Sequence, residues 1–235
     1  MVSRKSWGAN ENLRLASTFG GLDPSQVVSE ADTGPAPYPD AELQKVVSTD
    51  ENGRDLWWPL QYSKSISKIV IHHTASTGNL DDPEAVLRSI YQYHTITRGW
   101  GDIGYNYIIA PDGTIFEGRY GGKGVVGAHA AGYNIGSIGI ALMGNYQTNE
   151  IPAPMMESLT GLVYRLAEEN NIDVDGKSRF RGQMLNNLMG HRDLSATACP
   201  GEVTYGLIDD LRAVVGASLD SGRHDSHSAK FAYQE

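Results

Sequence analysis

Residues 67–75 read SKIVIHHTA, and the reading of this stretch decides the fold. Ile69, Val70 and Ile71 form a short β-branched run set among polar neighbours. Such a run fits a strand buried in the centre of a sheet. It ends on the pair His72–His73, so the strand delivers two imidazoles to its own end.

The elements that follow alternate in period. In DDPEAVLRSIYQYH (81–94), Asp82 is placed to cap a helix with Pro83 at its first position. Val86, Leu87, Ile90 and Tyr93 or His94 then recur at helical spacing. YNYIIA, PDG and TIFEGR predict a β-hairpin turning at Asp112–Gly113. GSIGIALMGN (136–145) predicts a second buried strand. An amphipathic helix is expected over 154–169, with Met156, Leu159, Val163 and Leu166 on one face, and another over about 203–215, stopping near Gly216. The order implies a single α/β domain with a mixed central β-sheet flanked by about three main helices. Residues 20–65 are rich in turn formers, including TGPAPYPD (33–40), and read as an irregular insertion with a short helix at 40–47. Its expected role is to cover the sheet, extend a groove or contact a partner. Residues 66–217 read as the core and 218–235 as a polar, frayed tail.

Composition narrows the function. The 235 residues carry 19 Lys+Arg against 28 Asp+Glu, a formal charge of −9. That balance opposes nucleic-acid binding and charge-driven adsorption to anionic surfaces. Any affinity for a polyanionic wall polymer must come from a specific site. The chain's single cysteine allows no intrachain disulfide, so folding needs no oxidising compartment. No apolar run approaches the ~20 residues of a membrane span. The start, MVSRKSWGAN, lacks the apolar core of a signal peptide, so this chain carries none: either the protein has none or it has been removed. The oligomeric state is not legible.

Seven histidines stand at 72, 73, 94, 129, 191, 224 and 227; the last two lie in the tail and read as solvated. His191 and Cys199 bracket a loop in GHRDLSATACPG (190–201). Taken alone, Cys199 reads equally as a small buried hydrophobe, a nucleophile or a metal ligand. A strand-end histidine plus a His–Cys loop can supply the three N/S ligands of a catalytic zinc site, but spacing alone does not make them converge.

Five segments occur together in order: RKSWGAN (4–10), IVIHHTA (69–75), RGWGDIGYNYIIAPDGTIFEGR (98–119), VVGAHAAGYNIGSIGIALMGN (125–145) and GHRDLSATACPG. The string closely resembles the peptidoglycan recognition proteins, zinc N-acetylmuramoyl-L-alanine amidases related to the phage-type amidase lysozymes. The resemblance is dense over 66–217, and WGAN makes residues 1–19 an N-terminal segment of the amidase domain. It implies zinc in a surface groove, held by His72, His191 and Cys199. It places the family's catalytic tyrosine at Tyr105 and its second polar position at Thr197, where some phage-type relatives carry lysine. Tyr105 is expected to donate to the tetrahedral oxyanion or position water, with Thr197 assisting. Zinc lowers the pKa of bound water from ~15.7 to about 7. His73 is expected to pack or hydrogen-bond behind the metal.

The same resemblance implies a substrate groove lined by His94, Gly99, Trp100, Arg119, His129 and Asn134. Gly99–Trp100 and Arg119 match positions associated with meso-diaminopimelate rather than lysine stems, and an arginine can clamp the extra carboxylate. The implied reaction is zinc-dependent cleavage of the amide between N-acetylmuramic acid and L-alanine of peptidoglycan or a muropeptide. The alternative is a non-catalytic peptidoglycan-binding module of the same fold, against which the retained Cys199 argues. Such an enzyme acts at the cell wall, and the acidic charge and missing disulfides point to one secreted or released from a microbe or phage.

Overall fold

The computed structural model describes residues 1–20 and 42–231, with side chains through residue 221. Strand β3 (Lys68–His73) is the decisive stretch and is buried along its whole length. It lies between β6 (Ser137–Leu142) and β9 (Leu188–Gly190), parallel to both. Strand β4 (Tyr107–Ile109) runs parallel to β6, and β5 (Ile115–Glu117) closes the sheet antiparallel to β4. The five-stranded order is β5-β4-β6-β3-β9, a mixed sheet.

Strand alternation assigns the two faces. Ile69, Ile71, Ile138, Ile140 and Leu142 join the core beneath α2 (Ala153–Asn170) and α4 (Ile208–Phe231). Lys68, Val70 and His72 point the other way, beside Ser137, Gly139 and Ala141 of β6. Helix α1 (Pro83–Gln92) packs on this second face, with Leu87 and Tyr91 against Trp7, Ile108 and Ala141. Asp82 caps it as expected, its Oδ1 accepting from the Ala85 N–H at 2.9 Å. At its end His94 is buried and Tyr93 is exposed. In the first turn of α2 the expected Met156 packs half-buried against the core, and Met155 beside it is fully buried.

Four sequence readings are corrected. Residues 43–63 are not irregular, and 43–47 are not helical: β1 (Leu43–Thr49) and β2 (Asp55–Ser63) form an antiparallel hairpin. TGPAPYPD and the first residues of the expected helix lie outside the described residues. Two register shifts break the ladder, and Leu56–Pro59 leave it altogether. With Pro59 inside the strand, the period of two that would have announced it is lost. The last helix does not stop at Gly216, and 218–231 are not frayed coil; the short α3 (Glu202–Gly206) precedes α4, which runs to Phe231. At Gly216 a Cβ would meet only the carboxylate of exposed Asp175, a side chain free to turn aside, and the helix continues through this position. Strands β7 (Lys177–Phe180), β8 (Gln183–Asn186) and β9 were not foreseen, being short and without an apolar run.

The N-terminal segment is built into the domain. Trp7 is fully buried and donates its indole N–H to the Glu117 carbonyl at 2.9 Å. Arg4, 3% exposed, pairs at 2.9 Å with Asp102, which is 1% exposed.

Candidate active site

Topology brings the metal-type residues together. Ile71 of β3 is registered with Gly190 of β9, so His72, still paired with Ala141 of β6, stands beside His191, the first residue past the end of β9. Their rings are 4.6 Å apart. The loop after β9 is then folded back on itself. Arg192 donates its backbone N–H to the Cys199 carbonyl at 3.0 Å and a guanidinium N–H to Ala198 at 2.8 Å. Asp193 accepts from the Gly190 N–H at 2.9 Å and from the Tyr205 hydroxyl at 2.6 Å. Cys199 Sγ thereby lands 3.6 Å from His72 Nδ1. One donor atom from each of His72, His191 and Cys199 lies within 4.8 Å of the others. His72 is buried while His191 and Cys199 are half-buried, so the group opens towards the surface on one side.

Two imidazoles and a thiol with no carboxylate form the borderline-soft donor set that suits zinc and not magnesium or calcium. The cluster fits a zinc site. Burial, followed by the neighbouring His129, His191 and His73, holds His72 well below the ordinary imidazole range. Burial and then His73 hold His191 at about 4. Both rings are neutral at pH 7, the form that ligates. Burial pushes the Cys199 thiol up to about 11 against the opposing effects of the His73 backbone and Arg192. Ligation by that sulfur therefore releases a proton.

Tyr105 reaches the triad, its ring 5.3 Å from His72. Burial first, then the charge of Cys199, raises its phenol above the ordinary tyrosine range. Without a metal beside it the phenol keeps its proton at neutral pH and is able to donate a hydrogen bond. Thr197 is exposed, and its Oγ1 accepts the Cys199 N–H at 3.2 Å, shaping the turn that presents the sulfur. His73 turns away; its Nδ1 accepts from the Tyr146 N–H at 3.2 Å, and its carbonyl lies 3.9 Å from Cys199 Sγ.

The expected groove residues divide. His94 is sandwiched near Trp100 and Tyr105, at ring separations of 4.7 and 5.5 Å, and accepts the Gly104 N–H at 3.1 Å. Gly99 and Trp100 lie in a segment held from two sides. Trp57 of the unforeseen hairpin donates to the Gly99 carbonyl at 3.0 Å. Trp58 lies so close to Gly101, at φ +72°, that a Cβ there would collide with it. Arg119 is buried and donates to the carbonyls of Ile103 and Trp100 at 3.1 and 3.0 Å. Asn134 Oδ1 accepts from the backbone of His129 and Ala130 at 2.9 and 2.8 Å, ordering that loop. His129 is buried with both ring nitrogens near partners, His72 at 3.0 Å and Ser137 at 3.2 Å. Sequence reasoning missed Ser137, Asp102 and the two hairpin tryptophans. The alternation of small residues in SIGIA was the available signal for a face of β6 cleared for a bulky neighbour.

A mixed α/β sheet carrying a His-His-Cys group, fit to hold a metal, beside the ends of parallel strands defines a domain of the amidase type. The N-acetylmuramoyl-L-alanine amidase family matches residues 62–202, and the chain belongs to that family, among its peptidoglycan recognition proteins. It is 39% identical to peptidoglycan-recognition protein SC2 of Drosophila simulans over 163 residues, covering 66% of this chain and 80% of the relative. Its structure is similar to Drosophila PGRP-LB, solved as a tyrosine-to-phenylalanine mutant in complex with tracheal cytotoxin. The TM-score is 0.57 at 26% identity, over 88% of this chain and 91% of the other. It is also similar to the N-acetylmuramoyl-L-alanine amidase LysC from Clostridium intestinale, with a TM-score of 0.55 at 31% identity, over 67% and 90%. The sequence relatives named are insect proteins, which does not support the microbial or phage origin expected from charge and cysteine content. No helix among the described residues is long and apolar enough to cross a membrane.

Proposed function

We propose that this chain is a zinc-dependent N-acetylmuramoyl-L-alanine amidase that acts on cell-wall peptidoglycan or muropeptides. The observation that carries the reading is the complete His72–His191–Cys199 group, its donor atoms within 4.8 Å, with the Tyr105 phenol beside it. When bound, zinc would supply Lewis acidity and water activated at neutral pH. Tyr105, held protonated by burial, donates a hydrogen bond to the developing oxyanion of the scissile amide, a contribution worth about 3–4 kcal/mol. Thr197 keeps its oxygen on the Cys199 N–H and leaves its hydroxyl proton for the rim of the site.

Substrate preference is proposed to favour meso-diaminopimelate stems. PGRP-LB binds tracheal cytotoxin, a monomeric diaminopimelic acid-type peptidoglycan. In this chain Arg119 uses two of its N–H donors on Trp100 and Ile103, out of the five a guanidinium carries. The others serve the extra carboxylate, while His94, Gly99 and Trp100 form the adjoining wall and Asn134 holds the loop opposite.

The test is zinc content and stem-peptide release for the wild type and Cys199→Ala, on diaminopimelate and lysine muropeptides, with Arg119→Ala alongside. The reading expects zinc and release in the wild type, neither in Cys199→Ala, and a selective loss on the diaminopimelate substrate in Arg119→Ala. Zinc and muropeptide binding without release would make the chain a binding module instead. Equal losses on both substrates in Arg119→Ala would remove the preference.

A further inference from the structure

His129 does not stand free in the site. Its Nδ1 is 3.0 Å from His72 Nε2, and its Nε2 is 3.2 Å from Ser137 Oγ. Ser137 Oγ in turn lies 2.6 Å from the Tyr133 carbonyl oxygen and 3.1 Å from that of Asn134. The fold makes room for this chain of contacts. A Cβ at Gly139 would fall into the His129 ring, and one at Gly127 would come within 2.7 Å of it. Asn134 pins the backbone of the same histidine.

The proton directions follow from elementary donor and acceptor rules. A carbonyl oxygen only accepts, so the single Ser137 hydroxyl proton goes to Tyr133, with Asn134 as its second acceptor. The serine oxygen is then the acceptor for His129 Nε2–H. A neutral imidazole carries one N–H, so His129 Nδ1 is left as an acceptor. The partner it faces, His72 Nε2, must therefore be the protonated nitrogen. That leaves the lone pair of His72 on Nδ1, the atom that faces Cys199 Sγ at 3.6 Å. The thiol S–H is the complementary donor there.

We propose that Ser137 and His129 are positioning residues which hold His72 as its Nε2–H tautomer and so aim its Nδ1 lone pair into the metal site. The proposal rests on the zinc reading for its purpose but not for its geometry. Partners of this kind fix the ring orientation of a ligating histidine and raise its basicity, and losing one costs about 10–100-fold in metal affinity. It also reassigns His129, which as a groove residue would have needed a ring nitrogen free for substrate.

The test uses the full chain, its histidine rings labelled with ¹⁵N, and the variants Ser137→Ala, His129→Ala and His129→Asn. Ring couplings report the His72 tautomer, and competition with a chromophoric chelator reports zinc affinity. Near-UV circular dichroism checks that each variant folds. The wild type should show His72 protonated at Nε2 alone. Ser137→Ala and His129→Ala should mix the tautomers and weaken zinc binding by about 10–100-fold. His129→Asn, whose amide oxygen replaces the Nδ1 acceptor, should recover most of that loss. His72 protonated at Nδ1 in the wild type, or His129→Ala binding zinc as tightly as the wild type, overturns the proposal. If the wild type takes up no zinc, the metal reading fails by itself, and the tautomer in the same sample still decides whether the chain of hydrogen bonds exists.

Discussion

Replacing Arg4 with methionine removes a buried charge and keeps most of the apolar stem. Arg4 Nη1 meets Asp102 Oδ1 at 2.9 Å and also bonds the Gly118 carbonyl. Its Nε and Nη2 meet Glu11 at 2.8 and 3.0 Å. The guanidinium lies over Trp7 and Tyr91, at 5.3 and 4.9 Å from the ring centroids. In Arg4→Met, Glu11 keeps Arg14 as a partner, but Asp102 keeps only the N–H groups of Ile103 and Tyr120. A carboxylate that is 1% exposed then loses the countercharge hydrogen-bonded to it and keeps only the more distant charge of Arg119. Breaking a buried pair from one side costs about 3–5 kcal/mol. For a chain of this size that lowers Tm by on the order of 6–20 °C. Equilibrium urea unfolding at pH 7, followed by tryptophan fluorescence, gives the free energy and a check on the m-value. Adding Asp102→Asn to Arg4→Met should return part of the loss, because the uncompensated charge goes with it. A loss below about 1 kcal/mol at unchanged m would refute the argument, since it would mean the pair is not desolvated. The effect reaches the site, because Asp102 starts the segment that leads to Tyr105.

Burial, then the charge of Arg119, holds His94 at about 4, with Asp102 acting in the opposite sense. Between pH 6.5 and about 4 the unfolded chain therefore binds the proton that the folded chain refuses, and stability falls with pH by up to about 3 kcal/mol from this group. His94→Asn, which keeps an acceptor for the Gly104 N–H, should flatten that part of a stability–pH curve measured with chelator present; an unchanged slope would count against the assignment. Tyr105→Phe should lower the rate of stem-peptide release by about 10²–10³-fold with zinc content unchanged, and near-normal turnover would discard its donor role. Gly139→Ala places a methyl group in the His129 ring, so it should cost about 1–3 kcal/mol in thermal unfolding and also weaken zinc binding; a neutral result would show that the ring can move aside.

The strands and helices with strong local signals were legible in the sequence: the β-branched run of β3, the Asp82–Pro83 start of α1, the Asp112–Gly113 turn and the apolar face of α2. So was the metal group, through the ordered segments and not through spacing. The β1–β2 hairpin was hidden by Pro59 and by the departure of Leu56–Pro59 from the ladder, the same departure that carries Trp57 and Trp58 to Gly99 and Gly101. Gly216 read as a helix stop because its propensity is local, whereas Leu211, Val215 and Leu219 on either side of it hold the helix against the core. The engagement of His129 with His72 is likewise a contact across 57 residues, which no single-sequence pattern encodes.

The central claim is that the His72–His191–Cys199 group cuts one particular amide. Mass spectrometry of a diaminopimelate muropeptide after incubation with the zinc-loaded wild type tests it most directly. The account predicts a free lactyl carboxyl on N-acetylmuramic acid and a free amine on the L-alanine of the released stem, with neither product from Cys199→Ala. An intact muropeptide recovered from a folded, zinc-loaded wild type that binds it would contradict the account.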